Sequence, residues 1–391
     1  MTSGTLIRAK RGREYPRVLG SYETARPGPT FIVSTGIHGN EPAGAEAALR
    51  VCAQLTEYEP ELCGRFLAVA GNLGALACAE RYLDQDLNRL WTKQAIAESR
   101  AHPHELRTRE QREQHELLGI LDACFSAAGP DGDVVVLDLH SSSADGAPFS
   151  CMGDTLRNRK VAFALPIPVI LGLEETIDGA MLDYVYERGH IAIAIEGGRH
   201  EASETIDNLE NALWIALVAA GCLRRDQVQD YEERHARLAR TARGVPSVLE
   251  IRHREELLPS DRFQMERGWT SFQPVAAGQR LALKNGEPVC AREAGRMLLP
   301  LYQGQGSDGF FLCRRVRPFW LKVSALLRRV RFSRFLRILP GVHRHPTIPD
   351  TFVVDLAVAV LKPVEIFHLL GFRRLRREGE TLVFSRRREH R

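Results

Sequence analysis

A chain of 391 residues, 44% hydrophobic and 26% charged, has the composition of globular protein and the length for one large core plus at least one smaller unit. No uncharged apolar stretch approaches the roughly 18 residues of a membrane span, and the start, MTSGTLIRAKRGREY, has no apolar run behind its basic residues, so a soluble, cytoplasmic protein is expected. The eight cysteines stand singly, which excludes a disulfide scaffold or a zinc knuckle, and the net charge of +4 divides into +13 over residues 311–391 and −9 over residues 1–310.

From residue 30 to residue 222 apolar runs of strand length alternate with segments of helical periodicity, which predicts an α/β layer structure. The first run, 31–37, leads into STGIHGNEPAG, where His38 and Glu41 stand in a loop and Pro42 is placed to open a helix over 42–55. An H-x-x-E pair at a strand end can offer an imidazole nitrogen and a carboxylate oxygen to one ion about 2 Å from each. Read alone, the same pair is a loop histidine and a helix-capping glutamate.

The second run, 66–71, is followed by ERYLDQDLNRLW, which gathers Arg81, Asp84, Asp86, Asn88 and Arg89 within nine residues. Arginine offers a planar donor fork suited to a carboxylate or an oxyanion, and Asn88 adds a neutral donor beside it, so an anionic substrate is implied. A surface ion-pair cluster is the bland account of the same charges. After a helical stretch at 105–127, the strand 134–139 in DVVVLDLHSSS delivers His140, with Asp138 two residues earlier on the same face. His140 can complete a His₂Glu zinc site with a fourth position open for water, and Asp138 can orient its ring. Otherwise His140 and Asp138 form a buried structural pair. A short strand at 169–171 and a helix at 179–188 precede the apolar strand 191–195, which ends in Glu196 and two glycines; a helix follows at 204–220. A desolvated carboxylate leaving such a strand beside an activated water suits general base work, though alone it is only a charged strand end.

Past the charged stretch 226–243, short apolar runs broken by Gly, Pro and Asn predict a small all-β unit. From Arg317 the composition turns Arg-rich, with helical segments expected at 320–339 and 352–370. The predicted organisation is thus a catalytic α/β domain over 1–243, a small β domain over 244–316 and a basic, mainly helical extension over 317–391. The G-x-G-x-x-G at Gly304, Gly306 and Gly309 leads into FFLCRR and not into a helix start, so it lacks the context of a dinucleotide site.

Taken together, Gly36–Glu41, Arg81–Arg89, Asp138–His140 and Glu196–Gly198 resemble, in order, the G-x-H-G-x-E, R-Y-x-D-x-D-L-N-R, D-x-H and Glu–Gly motifs of the succinylglutamate desuccinylase/aspartoacylase family. The resemblance covers residues 20–225 and, more loosely, the β unit to 315. It implies a zinc-carboxypeptidase-like mixed sheet flanked by helices, with one Zn²⁺ held by His38, Glu41 and His140. It further implies that Glu196 activates water and later protonates the departing amine. Arg81 would polarise the scissile carbonyl, and Asn88 and Arg89 would grip the carboxylate of a small anionic N-acyl amino acid. Gly71-Asn72-Leu73 departs from the Asn-Pro of many relatives.

Three other readings compete. A serine hydrolase using Ser141–Ser143 lacks a G-x-S-x-G elbow, and adjacent strand residues do not form a triad. A carboxypeptidase-like peptide trimmer would use the same Asn/Arg pair on a peptide C-terminus. The mixture of arginines with apolar side chains over 320–339 fits a basic amphipathic helix on anionic lipid or RNA, with the hydrolase domain vestigial, or one docked on the acidic body of the chain itself or between subunits.

Overall fold

The computed structural model describes residues 12–129, 132–330, 332–355, 358, 363–379 and 381–386. Two compact units divide the chain, the first from residues up to Ser142 with Gly179–Met181 and Ile195–Tyr231, the second from the remainder.

In the first unit the strands lie in the order Val18–Glu23, Arg65–Ala70, Thr30–Thr35 and Val134–Ser142, followed by residues 195–199 of the strand Ile191–Arg199. Thr30–Thr35 runs parallel to both neighbours, with Thr35 opposite Ala70 on one side and Leu139 on the other. These strands are buried on both faces, which is why they read as unbroken apolar runs and not as alternating ones. Val18–Glu23, an edge strand paired antiparallel to Arg65–Ala70, has an alternating pattern that the sequence reading passes over. Helices Ala43–Tyr58 and Ser203–Ala220 pack together. Lys93–Ala101 and Arg109–Ala128 pack as a second pair, the latter opened by a Thr108/Gln111 capping box. The shared register has one consequence for function. It brings the loop after Thr35, the loop after Ala70 and the end of Val134–Ser142 to the same carboxyl edge.

The second unit carries Phe149–Cys151, Val169–Leu171, Val248–Glu256, Asp308–Arg315, Gly295–Leu298 and Pro274–Val275 in that order, parallel at first and antiparallel from Val248 on. Between Val248 and Arg315 every regular element is a strand; a three-stranded sheet there closes a core around Trp269, Leu281, Met297 and Phe310.

The segment from residue 317 departs from its expected helical character. Helix Pro318–Arg329 and the 3₁₀ turn Phe332–Ile338 match the first expected helix. The second expected helix, 352–370, is replaced by the strand Thr351–Asp355 and a shorter helix, Pro363–Leu369; residues 356–357 and 359–362 lie outside the described residues. A four-stranded antiparallel sheet, Val342–Arg344, Thr351–Asp355, Thr381–Ser385 and Arg374–Glu378, organises this region. Its cause is the two-residue period of TFVVD, which buries Phe352 and Val354 with Phe367, Phe372 and Phe384. The rings of Phe367 and Phe384 stack at 4.4 Å between centroids.

One buried polar cluster fixes the helix Pro318–Arg329 within this unit. The Asp154 carboxylate accepts from Arg159 through Nε at 2.7 Å and Nη2 at 3.0 Å, from Arg328 Nη1 at 3.2 Å and from Arg373 Nε at 2.6 Å. Arg159 also donates to Ser324 Oγ at 3.1 Å and to the Leu321 carbonyl at 3.3 Å. Gly371, at φ +85°, lets the backbone pass the Arg328 guanidinium, where an added Cβ would come within 2.8 Å of Cζ.

Candidate active site

All the residues of the four motifs read above fall in the first unit. The loop after Thr35 turns back on itself: Glu41 N donates to His38 O at 3.1 Å, and Gly39 N donates to Arg81 O at 3.1 Å, tying this loop to the next. Gly39 has no room for a side chain, since a Cβ would lie 2.0 Å from the Ala75 backbone. His140 does not stand at the end of its strand, as the sequence suggests, but within Val134–Ser142; Glu196 likewise lies inside Ile191–Arg199.

His38, Glu41 and His140 are all buried, and each offers one ligand atom within 4.8 Å of the others, a group able to hold a metal ion. His38 Nδ1 lies 2.9 Å from Glu41 Oε1, and His140 Nδ1 lies 3.2 Å from Glu41 Oε2. Each ring has its other nitrogen on a carboxylate: His38 Nε2 is 3.2 Å from Asp86 and His140 Nε2 is 2.8 Å from Asp138. Carboxylates in that position orient an imidazole and raise its basicity, and they leave both Nδ1 atoms aimed at the same point. The donor set therefore fits a divalent cation of the His₂Glu kind. Three buried polar atoms at this site, Glu196 Oε2, Asp138 Oδ1 and Arg81 Nε, find no hydrogen-bond partner in the protein.

The electrostatics follow from burial against pairing. Burial opposes ionisation of Glu41, but the imidazoles of His38 and His140 hold its carboxyl well below the usual range. Asp86 behaves alike: burial raises it, and His38, Arg81 and Arg89 together bring it well below the usual value. Burial disfavours charge on His140, yet Asp138 and Glu41 raise its pKa well above that of an ordinary imidazole. Glu196 moves the other way. Burial and the negative charge of Glu41 push it up to about 8, against the opposing pull of His140 and Arg81.

Arg81 joins this group, with Nη1 3.5 Å from Glu41 Oε1 and Nη2 3.3 Å from Asp86 Oδ2. Asn88 and Arg89 stand on a 3₁₀ turn, Leu87–Arg89, capped by Asp86 accepting from Asn88 N at 2.9 Å. The Asn88 side-chain oxygen is engaged by Met181 N at 2.9 Å, and Arg89 donates to the Asn88 carbonyl at 3.0 Å. Asp84 turns away to an ion pair with Arg109.

Two residues escape the sequence reading. Glu110, fully buried on the helix Arg109–Ala128, accepts from the backbone of Leu83, Asp84 and Gln85 at 2.7, 3.1 and 3.2 Å and from Asn72 Nδ2 at 3.1 Å. It thereby fixes the loop that carries Arg81 to Arg89. Asn72, in the departing Gly71-Asn72-Leu73, also caps the helix Leu73–Cys78. His200 is the second, its Nδ1 2.8 Å from Ser141 Oγ. Its only signal was its place four residues after Glu196.

Known proteins resemble this chain in sequence and in fold. A family profile, the succinylglutamate desuccinylase/aspartoacylase catalytic domain, matches residues 27–207. A succinylglutamate desuccinylase of Burkholderia lata is 32% identical over 127 residues, 32% of this chain and 34% of its own length. The alignments thus span about a third of the length of such curated relatives. Among solved structures, a succinylglutamate desuccinylase/aspartoacylase of Rhodobacter sphaeroides superposes with a TM-score of 0.54 at 18% identity, covering 75% of this chain and 87% of that one. The ectoine utilization protein EutE (DoeB) of Ruegeria pomeroyi does so at 0.53 and 21%, with the same coverage. These likenesses carry the fold. Residues 27–207, just under half of the chain, thus match the succinylglutamate desuccinylase/aspartoacylase catalytic domain, and the solved relatives share its fold.

Proposed function

We propose that this chain is a zinc-dependent hydrolase that cleaves the amide, or ester, bond of a small carboxylate-bearing N-acyl amino acid. The observation that carries the reading is the convergence of His38, Glu41 and His140 within 4.8 Å, with Asp86 and Asp138 behind the two rings. Zinc held there supplies Lewis acidity and lowers the pKa of water towards about 7.

The remaining work falls to this chain's own side chains. Glu196, with an unpartnered buried oxygen, takes the proton of the attacking water and returns it to the departing amine nitrogen. Arg81 is held against Glu41 and Asp86 and offers its free Nε–H and guanidinium charge to the carbonyl oxygen as it becomes an oxyanion. Arg89 and the Asn88 amide bind the substrate carboxylate on a turn fixed by Asp86 and, through the preceding loop, by Glu110. Replacing Arg89 by Ala is expected to raise KM about 10–100-fold with a smaller change in kcat, the worth of a charge-assisted hydrogen bond. Steady-state kinetics check this; an unchanged KM would reassign the carboxylate site.

The direct test is a hydrolysis screen of purified protein against N-succinyl and N-acetyl amino acids alongside short peptides, with metal content measured on the same sample. Activity on an N-acyl amino acid should vanish with a chelator and return with zinc, at one ion per chain. Turnover indifferent to chelation in metal-free protein would end the reading, and preference for peptides would redirect it to a carboxypeptidase-like trimmer.

A further inference from the structure

The helix Pro318–Arg329 is packed inside out. Its buried residues are Ser324 and Arg328, one turn apart and bound into the Asp154 cluster. Phe319, Leu326 and Val330, at spacings of seven and four, occupy the opposite face and are exposed. Lys322 and Arg329, seven apart, flank that stripe. The following turn continues the pattern with exposed Phe332, Phe335 and Ile338, the first two rings 5.5 Å apart. Eight of the fourteen large apolar side chains exposed among the described residues fall within 319–348, including Ile338 at 72% and Phe319 at 63%.

Such a concentration costs free energy in water, and the buried ion-pair cluster prevents the helix from rolling to relieve it. Charge accompanies the apolar surface. Residues 309–349 contain ten Lys or Arg and no Asp or Glu. Lys322, Arg329, Arg334, Arg337 and Arg344 make no ion pair among the described residues, and the cleft of 940 Å³ that Arg329, Arg334 and Arg344 help to line has Asp350 as its one acidic wall residue, already paired with Arg386.

We propose that this face binds the surface of an anionic lipid bilayer, with Phe319, Leu326, Val330, Phe335 and Ile338 entering the headgroup–acyl boundary and the surrounding cations meeting lipid phosphates. Exposed aliphatic side chains select lipid over RNA, because RNA is held by stacking on aromatic rings and by hydrogen bonds, to which Leu326, Val330 and Ile338 contribute nothing. No helix among the described residues is long and apolar enough to cross a membrane, so the contact is peripheral.

Trp320 provides the probe. It is half-exposed and stands 5.4 Å from Phe319, whereas Trp91, Trp214 and Trp269 are buried. The full chain should co-sediment at low ionic strength with vesicles of phosphatidylcholine containing one quarter phosphatidylglycerol, with a blue shift of tryptophan emission that Trp320→Phe removes. Binding to pure phosphatidylcholine should be at least 10-fold weaker, since each cation near an anionic surface multiplies affinity about fivefold. Arg329→Ala with Arg334→Ala should therefore cost about 25-fold, and Leu326→Ser with Phe335→Ser should abolish the shift. All these side chains are exposed, and circular dichroism with the thermal midpoint verifies folding. Absence of binding to anionic vesicles, binding indifferent to lipid charge, or retention of a short RNA with the vesicle arm blank would each overturn the proposal.

Discussion

Glu196→Gln should lower kcat by about 10²–10⁴-fold while one metal ion per chain remains bound, since on the proposed mechanism the substitution removes the base without touching His38, Glu41 or His140. The amide keeps the shape and a hydrogen-bonding oxygen but accepts no proton from water. Burial and the Glu41 charge raise the pKa of Glu196 to about 8. A base must be ionised, so in the wild type kcat/KM should rise with pH along a limb above the ordinary carboxylate range, and a cation beside Glu41 moves that limb downward. The variant should lack the limb. Turnover within a few-fold of wild type, with the limb intact, would assign the proton transfer to another group.

Asp154→Asn should destabilise the second unit by about 3–5 kcal/mol, the usual consequence of leaving buried charge uncompensated. Arg159, Arg328 and Arg373 all donate to this carboxylate, Arg373 also reaching Glu250 at 3.5 Å, and the four side chains of the cluster are buried. Burial opposes the charge on Asp154, but the three guanidinium groups hold its pKa well below the ordinary value. Because the folded value lies below the unfolded one, the stabilisation is fully present above about pH 4. It is lost as pH falls through the folded value. Urea denaturation should therefore show the full gap between wild type and variant at neutral pH and a shrinking gap in acid. A loss under about 1 kcal/mol at neutral pH would show that solvent or neighbouring dipoles already neutralise the cluster.

The strands that bear the site were legible because Thr30–Thr35 and Val134–Ser142 are buried on both faces, which leaves unbroken apolar runs that end at His38 and His140. The pairing of Asp138 with His140 could be anticipated from strand alternation alone. Asp86 was visible as a charge but not as the partner of His38, because a loop has no period from which a side chain's direction follows. Glu110 left no trace, since it acts on the backbone amides of Leu83 to Gln85 and not on their side chains. In the Arg-rich segment, apolar residues at 352 and 354 satisfy a helical pattern loosely and a strand pattern well, and the partner strands Val342–Arg344 and Thr381–Ser385 decide between them.

The parallel register that sets Thr35 beside Leu139 also joins folding to occupancy. Glu41 and His140 are 99 residues apart in the chain and meet only once those strands have paired, so an unfolded chain offers a cation no equivalent cradle. An ion captured there favours the assembled architecture by mass action and acts as a rivet across the sheet's edge. On the function proposed above, stripping it would both silence the chemistry and slacken the scaffold.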